Sequence, residues 1–400
     1  MTVWVPELLS PAGSLEKLKV AVSYGANAVY CGGQRFGLRS AADNFTLFEL
    51  EEGVRFAHQK NAHVYVVLNS FLHDAELKDL PAFLKTLERL KVDAVIVSDM
   101  GVVKTVLDNS NLVVHLSTQA SCLNSASARL WKNGGVKRIV LGREVGIQDA
   151  ARIKEKVDIE LEMFVHGSMC MAYSGNCIIS NYTQGRDSNR GGCAHSCRFE
   201  YSLKSQNNED KKYAHFMSSK DLNGLRVLEE FINAGIDSLK VEGRMKSHHY
   251  AGTLSKVYSE ALGFYRENGH FLSHLLQSWE NELSKVGHRS YTQGSLISPA
   301  GPDSIFDERQ EEKRDMTVGA VVIESRKNKY TLAQVRAPFK VGDMMELMPF
   351  HGQPKSLPIS EIKDVCGETF SRSRPGLLWK LPYIEGAEPL NIIRIKAKEL

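Results

Sequence analysis

Residues 6–33 read PELLSPAGSLEKLKVAVSYGANAVYCGG: a short apolar run at Pro6–Leu9, a helical pattern over Ser14–Gly25 and a second apolar run at Ala28–Cys31. Ser14 is a good N-cap, because its hydroxyl can accept from an otherwise unpaired N–H of the first helical turn. A strand, an amphipathic helix and a second β-branched strand make a βαβ unit, and such units build parallel sheets. The unit repeats. Further strands are predicted at His63–Asn69, Ala94–Ser98, Val113–Thr118, Arg138–Leu141 and Glu160–His166, with helical patterns at Leu47–Lys60, Ala75–Leu90 and Ser125–Asn133 between them. Asn124 caps the last of these. So many units in a row favour a TIM-like (β/α)8 barrel over an open sheet, and no G-x-G-x-x-G follows the first strand as a dinucleotide fold would require.

Downstream, His215–Ser219 and Ser238–Val241 are two more strand candidates, each followed by a helical pattern (Asn223–Ala234 and Ser247–Asn268). That makes nine candidates where a barrel needs eight. Leu272–Val286 is a further amphipathic helix, and Ser298–Asp315, SPAGPDSIFDERQEEKRD, reads as a polar linker. From Met316 the period changes to short alternating strands, at Val318–Glu324, Tyr330–Val335, Met344–Met348 and Asn391–Ala397, with a turn at Val341–Asp343. This is the pattern of a small all-β barrel. The expected division is therefore a barrel domain over 1–297, a linker over 298–315 and a β-domain over 316–400.

Composition bounds the class. Hydrophobic residues make up 42% and charged residues 24%, as in soluble globular chains. No apolar run approaches the length of a membrane span, and residues 1–10 lack the basic start and apolar core of a secretory signal. A cytoplasmic protein is expected, in which clustered thiols are ligands or catalysts before they are disulfides. Net charge is +3, unevenly spread: residues 316–400 hold 13 Lys+Arg against 9 Asp+Glu, a net of +4, and the rest is −1. The β-domain is thus the basic end, a bias shared by nucleic-acid-binding proteins and by many solvated faces.

Between the two periodic regions lies His166–Arg198, HGSMCMAYSGNCIISNYTQGRDSNRGGCAHSCR, with four of the seven cysteines at C-x6-C-x15-C-x3-C. No helical or strand period runs through it, and an irregular stretch this long inside an ordered domain is usually functional. It is expected to replace the helix after the seventh strand. In a (β/α)8 barrel the working face is the C-terminal end of the strands. Strand ends there supply Asn69, Gln119, Arg143 and His166, with Arg39 shortly after the second strand and Lys240, Glu242 and Arg244 at the last. Those eight are the candidate substrate-binding residues, and Lys240, Glu242 and Arg244 can also form a structural ion-pair network. The four cysteines, Cys170, Cys177, Cys193 and Cys197, admit three readings. Structural zinc normally takes two C-x2-4-C knuckles, and only Cys193–Cys197 has that spacing. An iron–sulfur cluster takes thiolates from spread positions. Free thiols are the third. No C-x3-C-x2-C is present for radical chemistry, and no H-E-x-x-H, G-x-S-x-G or D-[ST]-G supports proteolysis. Cys170 beside His166 is the one thiol–imidazole pair on offer.

The run of residues 6–33, together with HGSMCMAYSGNCIISNY, GGCAHSCR and KVEGRMKS, resembles the collagenase-like peptidase family, peptidase family U32. HRSYTQG at His288–Gly294 and FKVGDMMELMPF resemble its tRNA 5-hydroxyuridine modification branch. The resemblance implies a TIM-like barrel plus a small β-barrel, and a [4Fe–4S] cluster on Cys170, Cys177, Cys193 and Cys197, with Cys31 as a substitute ligand. It further implies prephenate-dependent hydroxylation of the wobble uridine in the tRNA anticodon loop. Relatives in that family act on ribosomal RNA or quinone precursors, and the family name keeps a peptidase as the alternative. Under the hydroxylase reading, Arg39, Arg143 or Arg244 would hold the prephenate carboxylates, and Asn69 and Gln119 would read the uracil edge.

Overall fold

The computed structural model describes residues 3–37, 44–204, 211–307 and 314–397. Eight parallel strands close into a barrel: β1 Glu7–Pro11, β2 Ala28–Gly32, β3 His63–Leu68, β4 Ala94–Val97, β5 Val113–Leu116, β6 Arg138–Val140, β7 Glu160–Ser168 and β8 Ser238–Val241. Ser238 of β8 stands opposite both Glu7 and Glu162, and this double pairing shuts the ring. The strands read as near-continuous apolar runs because both faces are buried. Leu8, Val29, Val66, Val95 and Leu116 belong to the core beneath the helices, whereas Leu9, Tyr30, Tyr65, Val67 and Ile96 pack inside the barrel. The predicted N-caps are present: Ser14 accepts from the Lys17 N–H, and Asn124 from that of Ser127. Among the described residues no helix is long and apolar enough to cross a membrane.

The surplus strand candidate is His215–Ser219, which is not a strand. Its Ser218 N–H turns back to the His215 carbonyl at 2.8 Å. What stands there is a hairpin, Tyr201–Lys204 with Lys211–Ala214, and a short strand Asp221–Asn223 running antiparallel to the end of β7. Nor does the cysteine stretch replace a helix. The chain leaves β7 and returns where the Gly224 N–H meets the Val165 carbonyl at 2.8 Å. It then forms the crossover helix Leu228–Asn233 before β8. The stretch is an insertion ahead of that helix.

The C-terminal domain is all β: β9 Met316–Arg326, β10 Tyr330–Val335, β11 Met344–Met348, β12 Lys355–Pro358, β13 Leu378–Leu381 and β14 Ile392–Lys396, in the order β12-β11-β14-β9-β10-β13. Val322, Val335, Phe339, Leu347, Trp379 and Ile393 form its own core. A second apolar cluster, Val20 and Tyr24 against Val321, Met348 and Ile392, joins it to the barrel. Tyr24 Oη donates to the Met348 carbonyl at 2.6 Å, and the fully buried Arg394 lies 2.5 Å from both Glu282 and Glu346. The described part of the predicted linker runs beside the end of the insertion, its Phe306 N–H bonded to the Ser218 carbonyl at 2.8 Å.

Candidate active site at the barrel mouth

The C-terminal strand ends enclose a cavity of about 630 Å³, within the usual range for small-molecule sites. Tyr30, Val67, Ile96 and Phe164 give it an apolar base, and Asn69, Ser117, Gln119, Arg143, Lys240, Glu242 and Arg244 give it polar walls. The cysteine stretch covers it. Gly32, at the end of β2, leaves room for Arg244: a Cβ there would stand 2.3 Å from the Arg244 guanidinium.

Beneath the base runs a layer of buried ions. Lys240 Nζ donates to Glu162 at 2.8 Å. Arg138 donates to Glu7 at 2.6 Å and to Glu160 at 2.8 Å, and Tyr65 Oη donates to Glu7 at 2.8 Å. Burial alone would raise the Glu162 carboxyl; the Lys240 and Arg138 charges outweigh it and hold the group below the ordinary carboxylate value. His115, packed edge-on against Tyr65 with centroids 4.7 Å apart, is driven down to about 3 by burial and by Arg138.

The roof is stitched down on two sides. On one, the Ser174 N–H donates to Glu144 at 2.9 Å, its hydroxyl accepts from the Arg143 N–H at 3.1 Å, and its carbonyl accepts from the Ser121 hydroxyl. Gly175 follows at φ +78°, so close to β5's end that a Cβ would sit 1.9 Å from the Gln119 carbonyl oxygen. Only glycine tolerates both conditions. On the other side, Arg190 donates to the Phe71 carbonyl and, at 2.8 Å, to Glu76. Asn189 Nδ2 donates to the Cys177 carbonyl at 3.1 Å. These bonds fix the backbone of a segment that has no regular structure of its own.

All four cysteines of the roof line the cavity, Cys170 exposed and the others half-buried, and none is in a disulfide. Burial raises the Cys197 thiol, the neighbouring Cys170 raises it further, and Arg198 opposes both. As thiolates the four would repel one another, so a bound cation would offset that repulsion. Among the described residues no three His, Cys, Asp or Glu donors gather tightly enough to hold one metal ion. Cys31 and Cys122 are different. Both are fully buried away from the cavity lining, and burial pushes their thiols up to about 12 and about 11. Cys31 is therefore a core side chain in this structure rather than a substitute ligand.

Of the eight predicted substrate-binding residues, the structure gathers Asn69, Gln119, Arg143, Lys240, Glu242 and Arg244 on the cavity. Arg39 lies outside the described residues. His166 is on the strand end, as expected, but does not line the cavity. A register shift lets Val241 pair with His166 directly after Lys240 pairs with Phe164, and such a bulge re-aims the side chain that follows it. His166 is 1% exposed, bonded through Nδ1 to the Tyr258 hydroxyl at 3.0 Å and edged by Tyr250 and Tyr291. Burial drives it down to about 3. The Lys240–Glu242–Arg244 triplet points in several directions: Lys240 to Glu162, Glu242 to Arg143 at 3.8 Å, Arg244 past Gly32. Arg143 also lies over the Phe164 ring at 4.0 Å. Unforeseen cavity residues include Arg198, Asn176, Tyr173 and Tyr182. They sit in the aperiodic stretch, where sequence gives no direction to a side chain.

Residues 13–305 match the sequence profile described as Peptidase family U32. The chain is 39% identical over 402 residues to a protein of Bacillus subtilis named tRNA hydroxylation protein P1, covering 97% of this chain and 94% of that one. It is 33% identical to the Escherichia coli tRNA hydroxylation protein P, covering 87% of each. It is 38% identical to an Escherichia coli 23S rRNA 5-hydroxycytidine synthase over 64% of this chain and 39% of that one. With the profile spanning most of the barrel and a relative aligned along nearly the whole chain, this protein belongs to peptidase family U32.

Proposed function

We propose that the protein is an RNA-modifying enzyme that hydroxylates a pyrimidine ring, converting the wobble uridine of tRNA to 5-hydroxyuridine. The observation that carries this is the cavity itself: four thiols on its roof face polar and cationic side chains on its walls. The names of the relatives support the same chemistry.

Cys170, Cys177, Cys193 and Cys197 would hold a [4Fe–4S] cluster. Thiols spread round a shared cavity suit a cuboidal cluster better than one zinc ion, whose four ligands must all come within about 2.3 Å of the metal. When bound, the cluster supplies one-electron redox chemistry at the roof. The chain's own residues do the rest. Asn69 and Gln119 each carry a donor and an acceptor, which matches the mixed edge of uracil. Arg143 and Arg244 present guanidinium groups suited to a dianion, and prephenate, whose carboxylates they would grip in bidentate fashion, is the proposed co-substrate. Phe164 and Tyr30 give the ring an apolar seat, and Lys240 stays tied to Glu162 below it. A base must be unstacked to enter such a cavity, and the anticodon loop presents its bases unpaired. The basic β-domain supports a grip on the tRNA backbone.

The one thiol–imidazole pair that the sequence offers for proteolysis is not made. His166 Nδ1 is bonded to Tyr258 and its Nε2 has no hydrogen-bond partner, so no Cys170–His166 pair is formed. Nucleoside analysis of tRNA tests the proposal. A strain lacking this gene, and any redundant route, is expected to lose 5-hydroxyuridine at the wobble position. Unchanged 5-hydroxyuridine would refute the tRNA assignment.

A further inference from the structure

The roof carries a feature that thiol ligation leaves unused. Tyr173 and Tyr182 line the cavity rim yet are 53% and 86% exposed. Ile178, also on the rim, is 59% exposed. Apolar and aromatic side chains grouped in solvent at a cavity mouth mark a binding surface. The helix Ile179–Gln184 explains the grouping. Ile178, Ile179, Tyr182 and Thr183 all line the cavity and fall at i, i+1, i+4 and i+5, one face of a helix. Neither tyrosine side chain has a ring partner or hydrogen bond among the described residues. Residues 168–198 hold three arginines and one aspartate, and Arg186 is exposed just past the end of this helix.

We propose that Tyr173 and Tyr182 form a stacking platform for the unpaired nucleobases that flank the one entering the cavity. This rests on the RNA reading above. Drawing one base from a single-stranded loop leaves its neighbours with bare faces, and aromatic rings cover such faces whatever the base. The positive balance of the loop favours a polyanion over a protein partner, and the exposed Arg186 adds a cation beside this face for the RNA backbone.

The test uses the full chain and a stem-loop RNA whose unpaired loop carries the fluorescent base 2-aminopurine, at fixed salt. Tyr182→Ala and Tyr173→Ala are each expected to bind about tenfold more weakly, the effect of one lost base–aromatic stack. They should also lose the stacking-induced change in 2-aminopurine emission. Tyr182→Phe is expected to restore both, since it keeps the ring. Thermal melting should be unchanged in all three, because these side chains are exposed. If the unsubstituted chain binds the stem-loop and both alanine variants bind it equally well, the platform is wrong and the RNA reading stands. If the unsubstituted chain binds no stem-loop RNA, the RNA reading fails and the platform falls with it.

Discussion

Two polar layers meet at the cavity, and they are built in opposite ways. The ion layer inside the barrel closes on itself: Lys240, Glu162, Arg138 and Glu7 are linked by contacts of 2.6–3.4 Å, and Glu162 is wholly buried. The cysteine roof ties down its backbone through Ser174, Gly175, Asn189 and Arg190, while its four thiols turn to the cavity. A layer whose side chains satisfy one another fixes the shape of the barrel. A layer that secures its main chain and presents its side chains to a cavity is arranged to hold something else.

At neutral pH, breaking the ion layer should cost most. Glu162→Ala strands the buried Lys240 and removes one of the three carboxylates around Arg138, and is expected to lower stability by about 3–5 kcal/mol in urea unfolding. A loss below about 1 kcal/mol would mean that the layer is held by packing alone. Acid should act next. His115 and His166 are both held down to about 3, against 6.5 in an exposed chain. The unfolded chain therefore takes up protons that the folded one refuses, and stability falls as pH drops from 6.5 towards 3. The slope should be about 1.4 kcal/mol per pH unit for each histidine. His166→Gln should flatten the curve between pH 6.5 and 3; an unaltered slope would place the titration elsewhere.

The roof should respond less in stability and more in function. Gly175→Ala forces a Cβ against the Gln119 carbonyl at a left-handed φ and is expected to cost about 1–3 kcal/mol. RNA hydroxylation should fall with it, because the roof must lift off the end of β5. Full activity in that variant would show that the contact is dispensable. Least of all should follow from Asp79→Asn. The Arg35–Asp79 pair is more than half exposed on both sides, and exposed pairs contribute about 0–1 kcal/mol. A larger change there would contradict the view that, among the ion pairs, the buried ones carry the stability.

The barrel was legible because residues such as Val64–Leu68 and Ala94–Val97 carry the unbroken apolar runs that parallel strands require. Six wall residues could be named for the same reason: in this fold the ends of the strands are the site. His166 was misdirected by a bulge at Val165, which hydrophobic period does not record. His215–Ser219 reads as a strand but lies within the insertion, where its chain turns back on itself. Tyr182 and Arg198 escaped notice because their stretch is ordered by specific bonds such as Ser174–Glu144 rather than by any repeating pattern. The cysteines were visible by their spacing, and their common cavity only by the fold.

The most direct test of the roof as a single ligand set is the iron and sulfide content of the anaerobically purified chain. A [4Fe–4S] cluster on the four roof thiolates predicts a brown protein with about four irons and four sulfides per chain. The colour should be lost in Cys170→Ser, Cys177→Ser, Cys193→Ser and Cys197→Ser, and kept in Cys31→Ser. A colourless protein binding one zinc, or iron retained in all four roof variants, would contradict it.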